Sequence, residues 1–463
     1  MKALLVGGGA REHAIADALC RGSAELIVAM HNQNPGILSL SKDDSLLKCS
    51  ETDVTGIAKW ARDKGADFAV IGLEDTLDAG ISDELLKYGI PSVGPQKKAA
   101  NLEMSKLFTR NLMKKYNIPG QVQFHLISRV DELRNIIMAS DEEFVLKPIG
   151  LTAGKGVKIM GEQLLTKEDA INYGQLVIEK AIGNYNSIML EEKLEGEEFT
   201  VQCFVDGTNV APMPAVQDHK RAFDGDVGPN TGGMGSYSQA DGLLPFLSRE
   251  EYRESIKIIE QVVLAVKKEG FEYKGILYGQ FMLTSRGLRV IEFNARFGDP
   301  ECMNVLPLLI NNFVDVCWHI INGTLDKAKI EFMKKATVCK YIVPKGYGVN
   351  PLIDKELIVD KAGIDNSGGR LFYAKVDEKK GKILTTNSRS IGILGIADTT
   401  EEAEVICEKS LAFVRGDFGV RHDIGKKELL DRRVKHMEEI RKGMFRTGHL
   451  SQKIGSSHYY ALR

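Results

Sequence analysis

The sequence predicts a multidomain fold of mixed α/β and α+β type, built as three units along 463 residues. Three observations carry this. A chain of this length has a prior of about three domains. From Met1 to about Pro95, short apolar strands alternate with helices, the rhythm of a doubly wound parallel sheet. Beyond about 120 the rhythm changes to hairpins with helices between them, and after about 326 a smaller strand-rich unit follows.

In the first unit, ALLV (3–6) is a buried-type strand whose glycine turn opens the helix REHAIADALC (11–20). LIVAM (26–30) is the second strand and runs into an Asn/Pro/Gly loop. Then come the helix VTGIAKWARDKG (54–65), the strand FAVIG (68–72), the helix DAGISDELLKYG (78–89) and a last strand around PSVG (91–94). The second unit opens with the amphipathic SKLFTRNLMKKYNIP (105–119), stopped by Pro119. EFVLKPIGLTAGKGVKIM (143–160) reads as two strands around a glycine-rich tip, followed by the helix EDAINYGQLVIEKAI (168–182). Strands resume at 187–207, and GILYGQFMLTSRGLRVIEFNARF (275–297) reads as a hairpin. In the third unit ATVCKYIVP, GGRLFYAKV and SIGILGIA are strands and EEAEVICEKSLAFV is a helix. The basic, polar end from about Arg432 shows little periodicity and reads as a mobile extension.

Composition excludes several classes. Sixty-one Lys and Arg against 63 Asp and Glu leave a net charge of −2, which argues against a chain-wide nucleic-acid footprint. The apolar run after Met1 is too short for a secretory leader, and no stretch approaches the roughly 18 apolar residues of a membrane span. The seven cysteines are scattered, form no C-x-x-C pair and lie mostly in apolar contexts, as in a reduced cytoplasmic protein.

Three stretches carry chemistry. In VGGGAREHA (6–14), Gly7 and Gly9 match the start of a dinucleotide fingerprint, but Glu12 takes the third glycine's place. The following strand also ends without the carboxylate that would hold a ribose. What remains is a helix N-terminus whose N–H groups suit an anion, with Arg11 beside Gly9. GLTAGKG (150–156) has the wrong spacing for a P-loop and lies between strands. It reads as a flexible tip able to fold over phosphates with the backbone of Gly154 and Gly156 and the Lys155 ammonium. Lys147 lies on the strand feeding it, where a buried ammonium needs an anion.

In RVIEFN, Glu292 and Asn294 share one face of a strand, because side chains alternate. A carboxylate and an amide oxygen are hard donors suited to Mg²⁺ on nucleotide phosphates. Gln280 on the preceding strand joins them only if the hairpin register sets it opposite Glu292. Arg296, where the strand ends, is placed for a carboxylate or phosphate.

Together these stretches resemble the phosphoribosylamine–glycine ligase (glycinamide ribonucleotide synthetase) family, ATP-grasp enzymes of purine biosynthesis. VGGGAREHA, SKLFTRNLMKKYNIP, GLTAGKGV, LEEKLEGEE, QDHKR, GPNTGGMG, IEFNARFGDPE and RHDIG carry the resemblance, in the family's order over nearly the whole chain. It implies an N-terminal substrate domain (1–103), an ATP-grasp domain (104–326) with a mobile lid at about 121–190, a C-terminal domain (327–425) and a basic tail (426–463). Lys106, Lys147, Gly154, Lys155 and Gly156 would meet ATP phosphates, Glu191, Glu192, Lys193 and Leu194 the adenine, and Glu198 the ribose. Glu292 and Asn294, with Gln280, would hold Mg²⁺ or Mn²⁺. Asp218, Lys220, Asn230, Thr231, Gly232, Gly233, Arg296 and Asp299 would shape the acceptor site, and Gly9 and Arg11 would face the ribose phosphate. Arg296, Lys147 and Asp218 would be catalytic. The implied substrates are ATP, glycine and 5-phosphoribosylamine, with neither nucleic acid nor membrane as a partner and a monomer favoured. This chain departs from the family pattern at Leu73, which stands where the family usually carries proline before Glu74, and at Ile149, where an Asp is common.

Two other readings compete: an ATP-grasp ligase for a different acid, and a nucleotide-binding regulator without turnover. QDHKR with GPNTGGMG and RFGDPE disfavours the first. Retention of Lys147, Glu292, Asn294 and Arg296 disfavours the second.

Overall fold

The computed structural model describes residues 1–150 and 156–443, so the tip residues Gly154 and Lys155 and the chain beyond 443 lie outside it. The first unit is a five-stranded parallel sheet in the order Leu46–Lys48, Glu25–Met30, Lys2–Val6, Phe68–Ile71, Ser92–Val93. Its central strand is wholly apolar after Lys2 and buried on both faces, as a parallel sheet covered by helices requires. Three local features differ from the sequence reading. Leu46–Lys48 is a strand too short and too polar in its surroundings to announce itself. The Asn/Pro/Gly loop contains a short helix, Pro35–Leu40, because the Asn34 side chain accepts hydrogen bonds from the Gly36 and Ile37 N–H groups. The helix expected at 78–89 is two, Glu74–Asp78 and Ile81–Lys87, broken at Gly80 with φ +89°.

The second unit holds an antiparallel sheet of Val210–Pro212, Glu197–Asp206, Lys274–Thr284 and Gly287–Asn294. The long helix Arg249–Lys268 is capped by Ser248 and buries Ile258, Ile259, Val262, Val263 and Val266. Beside it, Phe124–Ile127, Ile188–Glu192, Phe144–Pro148 and Lys158–Ile159 make a separate four-stranded sheet. That sheet and the helices Val130–Ala139 and Lys167–Glu179 share an apolar core of their own, built from residues such as Ile127, Leu133, Phe144, Leu146, Ile171 and Val177. The core of the remaining molecule is a second cluster, running from the first unit through the third.

The third unit does not stand apart. Its strands Ala336–Pro344, Ile391–Ala397 and Arg370–Tyr373 continue a sheet begun by Gln217–Asp218 and Gly235–Ser238. Ser238 and Thr337 hydroxyls lie 2.8 Å apart across that seam, and Asn304 donates to Thr337 at 3.0 Å. The expectation of a mobile extension from about Arg432 is corrected as far as residue 443, where the described chain stops. Lys427–Arg441 is a helix that buries Leu429, Leu430, Met437 and Ile440. Its apolar residues are sparse among charges, which hides the period, and its arginines dock on the central unit. No helix among the described residues is long and apolar enough to cross a membrane.

Candidate active site

The open question of hairpin register is answered by the strand pair Lys274–Thr284 and Gly287–Asn294. Gln280 lies directly opposite Glu292 and Tyr278 opposite Asn294, with an irregularity between Gln280 and Phe281. Directly opposed residues share a face, so Gln280 and Glu292 project together. Gln280 donates through Nε2 to Glu198 at 2.6 Å. Glu292 makes no hydrogen bond or ion pair with any described residue. Burial opposes its charge, but Lys220, Lys106, Lys147 and Arg296 outweigh that and hold its carboxyl below the ordinary range. A carboxylate ringed by cations yet bonded to none is preorganised for a group that brings its own charges.

Among the described residues no cluster of three or more His, Cys, Asp or Glu makes a metal cage. One carboxylate with two amide oxygens does fit a divalent ion that takes its other ligands from phosphates and water. Among the described residues nothing donates to Gln280 Oε1, the Glu292 carboxylate or Asn294 Oδ1, so this donor set suits such an ion.

The residues expected to meet phosphates come from two parts of the second unit. Ser105 caps the helix Lys106–Lys115, which sets Lys106 at its first turn, and Lys106 Nζ donates to Gly150 O at 3.4 Å. Burial lowers the Lys106 ammonium pKa despite the nearby Glu292. Lys147 pairs with Glu191 at 2.5 Å, and Glu191 also accepts from Arg110 Nε at 2.7 Å. Arg110 in turn donates to the carbonyls of Val290 and Ile291 at 2.9 Å, the two residues before Glu292. The strand Phe144–Pro148 pairs with Lys158–Ile159 as the expected hairpin, and Tyr173 Oη donates to Gly156 O where the chain returns from the tip.

Of the expected adenine-binding run, Glu191 and Glu192 end a strand and Lys193 and Leu194 enter the link between the two sheets of the second unit. The side chains of the first three are engaged: Glu191 with Lys147 and Arg110, Glu192 with Arg286, Lys193 with Glu143 at 2.7 Å. The N–H groups of Glu192 and Lys193 are engaged as well, donating to Gln123 O at 3.1 Å and Glu143 O at 3.2 Å, which narrows the open backbone of the run to its Leu194 end.

Among the residues expected at the acceptor, Lys220 bridges to Glu198 at 3.3 Å. Burial works against the Lys220 charge, but Glu198, Glu292, Asp218 and Glu301 raise its pKa above the ordinary value. Asp218 is pushed well up by burial and then by Glu301. Asn230 is paired with Arg221 across a small hairpin, and Thr231 donates twice to Lys220 O, from N and Oγ1, both at 2.8 Å. Gly233 has φ +105°, and a Cβ there would meet Asp218 Oδ1 at 2.7 Å and Pro300 Cδ at 2.9 Å, so only glycine fits. Arg221 also pairs with Glu162, across to the four-stranded sheet's unit.

Asp299 accepts from Arg389 at 2.8 Å and from the Tyr341 hydroxyl. Arg389 also donates to the carbonyls of Gly232, Gly233 and Asp299 and lies 4.5 Å from the Tyr341 ring centre. Sequence reasoning missed Arg389, which sits in an undistinguished loop of the third unit. It equally missed Arg110, read only as part of an amphipathic helix.

Arg296 is held by two carboxylates of the first unit, Glu74 at 3.0 Å and Glu103 at 3.1 Å, and donates to Phe297 O. Glu103 further accepts the Ala295 N–H at 2.6 Å. Burial raises its carboxyl to about 7, against the pull of Arg296. Arg11 is buried against Glu12 at 2.7 Å and Phe297 O at 3.2 Å, with Glu74 3.8 Å away. The Gly9 N–H is taken by Glu12 at 2.7 Å, so an anion there must compete with the chain's own carboxylate. His13 accepts the Tyr373 N–H, and burial lowers its ring pKa to about 4; His219, similarly buried, is lowered to about 3. Neither is disposed to act as a base near neutrality.

Three family models match the chain: Phosphoribosylglycinamide synthetase N domain over 1–103, ATP-grasp (A) domain over 104–302 and C domain over 337–427. The phosphoribosylamine–glycine ligase of Methanocella arvoryzae is 49% identical over 444 residues, covering 95% of this chain and 100% of its own length. That of Pyrococcus horikoshii is 46% identical over 442 residues, covering 96% and 98%. A crystal structure of phosphoribosylamine–glycine ligase from Thermotoga maritima superposes with a TM-score of 0.76 at 28% identity, covering 91% of this chain and 100% of that one. The biotin carboxylase domain of Hydrogenobacter thermophilus 2-oxoglutarate carboxylase, in complex with MgADP, shares the fold with a TM-score of 0.69 at 18% identity, covering 96% of each chain.

Proposed function

The chain belongs to the phosphoribosylglycinamide synthetase family and is an ATP-grasp ligase that joins glycine to phosphoribosylamine in purine biosynthesis, and we propose that the cation-ringed end of Gly287–Asn294 is where its reaction runs. The glycine carboxylate attacks the γ-phosphoryl of ATP, giving glycyl phosphate and ADP. The amine of 5-phosphoribosylamine then attacks the acyl carbon, and phosphate leaves as the amide forms. Most of the protein's contribution is positioning and charge neutralisation, which is why no nucleophile constellation is needed.

In this reading Lys106 and Lys147 neutralise the phosphates, with Gly154, Lys155 and Gly156 closing over them. Glu292, Asn294 and Gln280 would hold a divalent cation, Mg²⁺ or Mn²⁺, which would supply charge neutralisation for the ATP phosphates. Glu191 to Leu194 read adenine through backbone groups and Glu198 the ribose. Arg296 uses one donor on each nitrogen for Glu74, Phe297 O and Glu103 and so keeps two N–H groups for the glycine carboxylate. Asp218, Lys220, Asn230, Thr231, Gly232, Gly233 and Asp299 form the wall for the ribosylamine, with Gly9 and Arg11 toward its phosphate. The protein acts as a cytoplasmic monomer.

The observation that carries the reading is Glu292: opposite Gln280, surrounded by four cations and bonded to none of the described residues. Phosphate release measured with ATP, glycine and phosphoribosylamine, against omission of each, tests it. Full dependence on all three is expected; release that ignores glycine would overturn it.

A further inference from the structure

The hairpin Arg221–Phe223/Val227–Asn230 leads directly into the acceptor loop, yet little of its own structure holds it. It is two-stranded, irregular between Arg221 and Phe223, and exposes Phe223 and Val227. Such a ribbon is marginal alone. Its tip, 224–226, is instead seized by residues between Arg421 and Arg433. The Gly225 N–H donates to Asp423 at 2.8 Å, and the His422 N–H donates to Asp224 at 2.9 Å. Arg421, Arg432 and Arg433 converge on the single carboxylate of Asp226, at 2.9, 2.6 and 2.5 Å. Arg421 is wholly buried and also donates to Arg221 O at 3.1 Å.

The two further arginines come from Lys427–Arg441, a helix beginning where the C-domain family match ends. Arg433 also reaches Glu197 at 3.4 Å, the neighbour of Glu198. We propose that the helix Lys427–Arg441 is a positioning element for the acceptor site, with Arg432 and Arg433 fixing the acceptor hairpin through Asp226. This rests on the acceptor site lying where the previous subsection puts it.

The hairpin's other anchor is its base, where Thr231 is tied to Lys220 O. With both ends held, Lys220 and the loop 230–233 are preorganised; with the tip released, they must be ordered at each binding event, a cost that appears in substrate affinity.

The test is steady-state kinetics on the full-length protein with Asp226→Asn and Arg432→Ala; Arg432 is half-exposed, so its loss leaves the core intact. Asp226→Asn is expected to raise the KM for phosphoribosylamine or glycine about tenfold while the ATP KM changes less than about twofold. Arg432→Ala should move the same KM in the same direction by a smaller factor, and Arg432→Lys should restore it. Equal losses for all three substrates together with a lower Tm would show a merely structural role and overturn the proposal. Unchanged kinetics in both variants would overturn it as well. Lys220→Ala separates the two layers: a raised acceptor KM there with none in Asp226→Asn sinks the positioning role alone. No acceptor effect in any of the three variants sinks the placement of the acceptor site too.

Discussion

The charges of four cations act on Glu292, which makes no hydrogen bond or ion pair among the described residues, so its charge matters to what binds rather than to what folds. Glu292→Gln keeps the shape and removes that charge from the proposed divalent-ion site. Turnover should fall by at least about a hundredfold, and the Mg²⁺ concentration for half-activity should rise, while the thermal melt stays near wild type. A magnesium titration of the purified variant checks this, and wild-type activity at low Mg²⁺ would remove Glu292 from the site. Arg296 poses the opposite case, since it holds Glu74 and Glu103 as well as facing the site. A lysine has one ammonium where the guanidinium offers a planar fork. Losing a charge-assisted hydrogen bond costs about 1.5–3 kcal/mol, roughly one to two orders of magnitude in affinity. Arg296→Lys should therefore raise the glycine KM much more than the ATP KM, and parallel saturation curves would show it. An unchanged glycine curve would make Arg296 a brace between units and nothing more.

At the scale of elements, Gly156, the first described residue after the glycine-rich stretch, is tethered to a helix of the four-stranded sheet's core. Tyr173, on the helix Lys167–Glu179, donates to Gly156 O, and Lys158 lies 4.3 Å from the centre of its ring. Tyr173→Phe removes that hydrogen bond and little packing. The ATP KM should rise several-fold with the glycine KM unchanged; hydrogen exchange around Gly156 should be faster without nucleotide and recover when a non-hydrolysable ATP analogue is added. Elements of this kind were readable in the sequence wherever local pattern decides structure. The strands around Leu4, Val70 and Leu146 are runs of apolar residues bounded by glycine or charge, and the E-x-N spacing of Glu292 and Asn294 put both on one face. Register was not readable, because it is settled across the sheet: only the pairing itself brings Gln280 to Glu292. Arg389 and Arg110 were missed for the same reason, since their roles come from carbonyls and carboxylates far away in the chain. The helix Lys427–Arg441 escaped because long charged side chains, not a broad apolar stripe, dock much of it.

For the molecule as a whole, two apolar cores predict two folding units rather than three. The second and third units share one sheet and one core, whereas the part containing Phe144 and Val177 has its own. Scanning calorimetry should resolve a smaller transition for that part, which a nucleotide shifts upward, and a single larger one for everything else. A separate transition for the chain after 336 would contradict the shared sheet. The two cores are stitched by Glu191, whose carboxyl is buried yet drawn down to about 2, from an ordinary 4.5, by Arg110 and Lys147. A depressed carboxyl stabilises the fold fully above its unfolded value and loses that contribution as pH falls toward the folded one. The window is therefore pH 4.5 down to about 2, and the contribution is about 3 kcal/mol by proton bookkeeping. Melting curves across that range should fall more steeply for the native protein than for Glu191→Gln, which has already lost the pair; equal slopes would contradict it.

The ion pair between Arg221 and Glu162 joins the acceptor hairpin to the unit that carries the phosphate tip. Any preference it gives one substrate once the other is bound must be returned in full, because the free energy around a closed thermodynamic cycle is the same by either route. ATP that draws Glu162 to Arg221 tightens the acceptor by some factor, and the acceptor tightens ATP by that same factor. Both side chains are partly open to water, so the pair is worth at most about 1 kcal/mol, or a factor of roughly five. The coupling therefore belongs to the two sites jointly, and titrating ATP with and without the acceptor must return the same factor as titrating the acceptor with and without ATP.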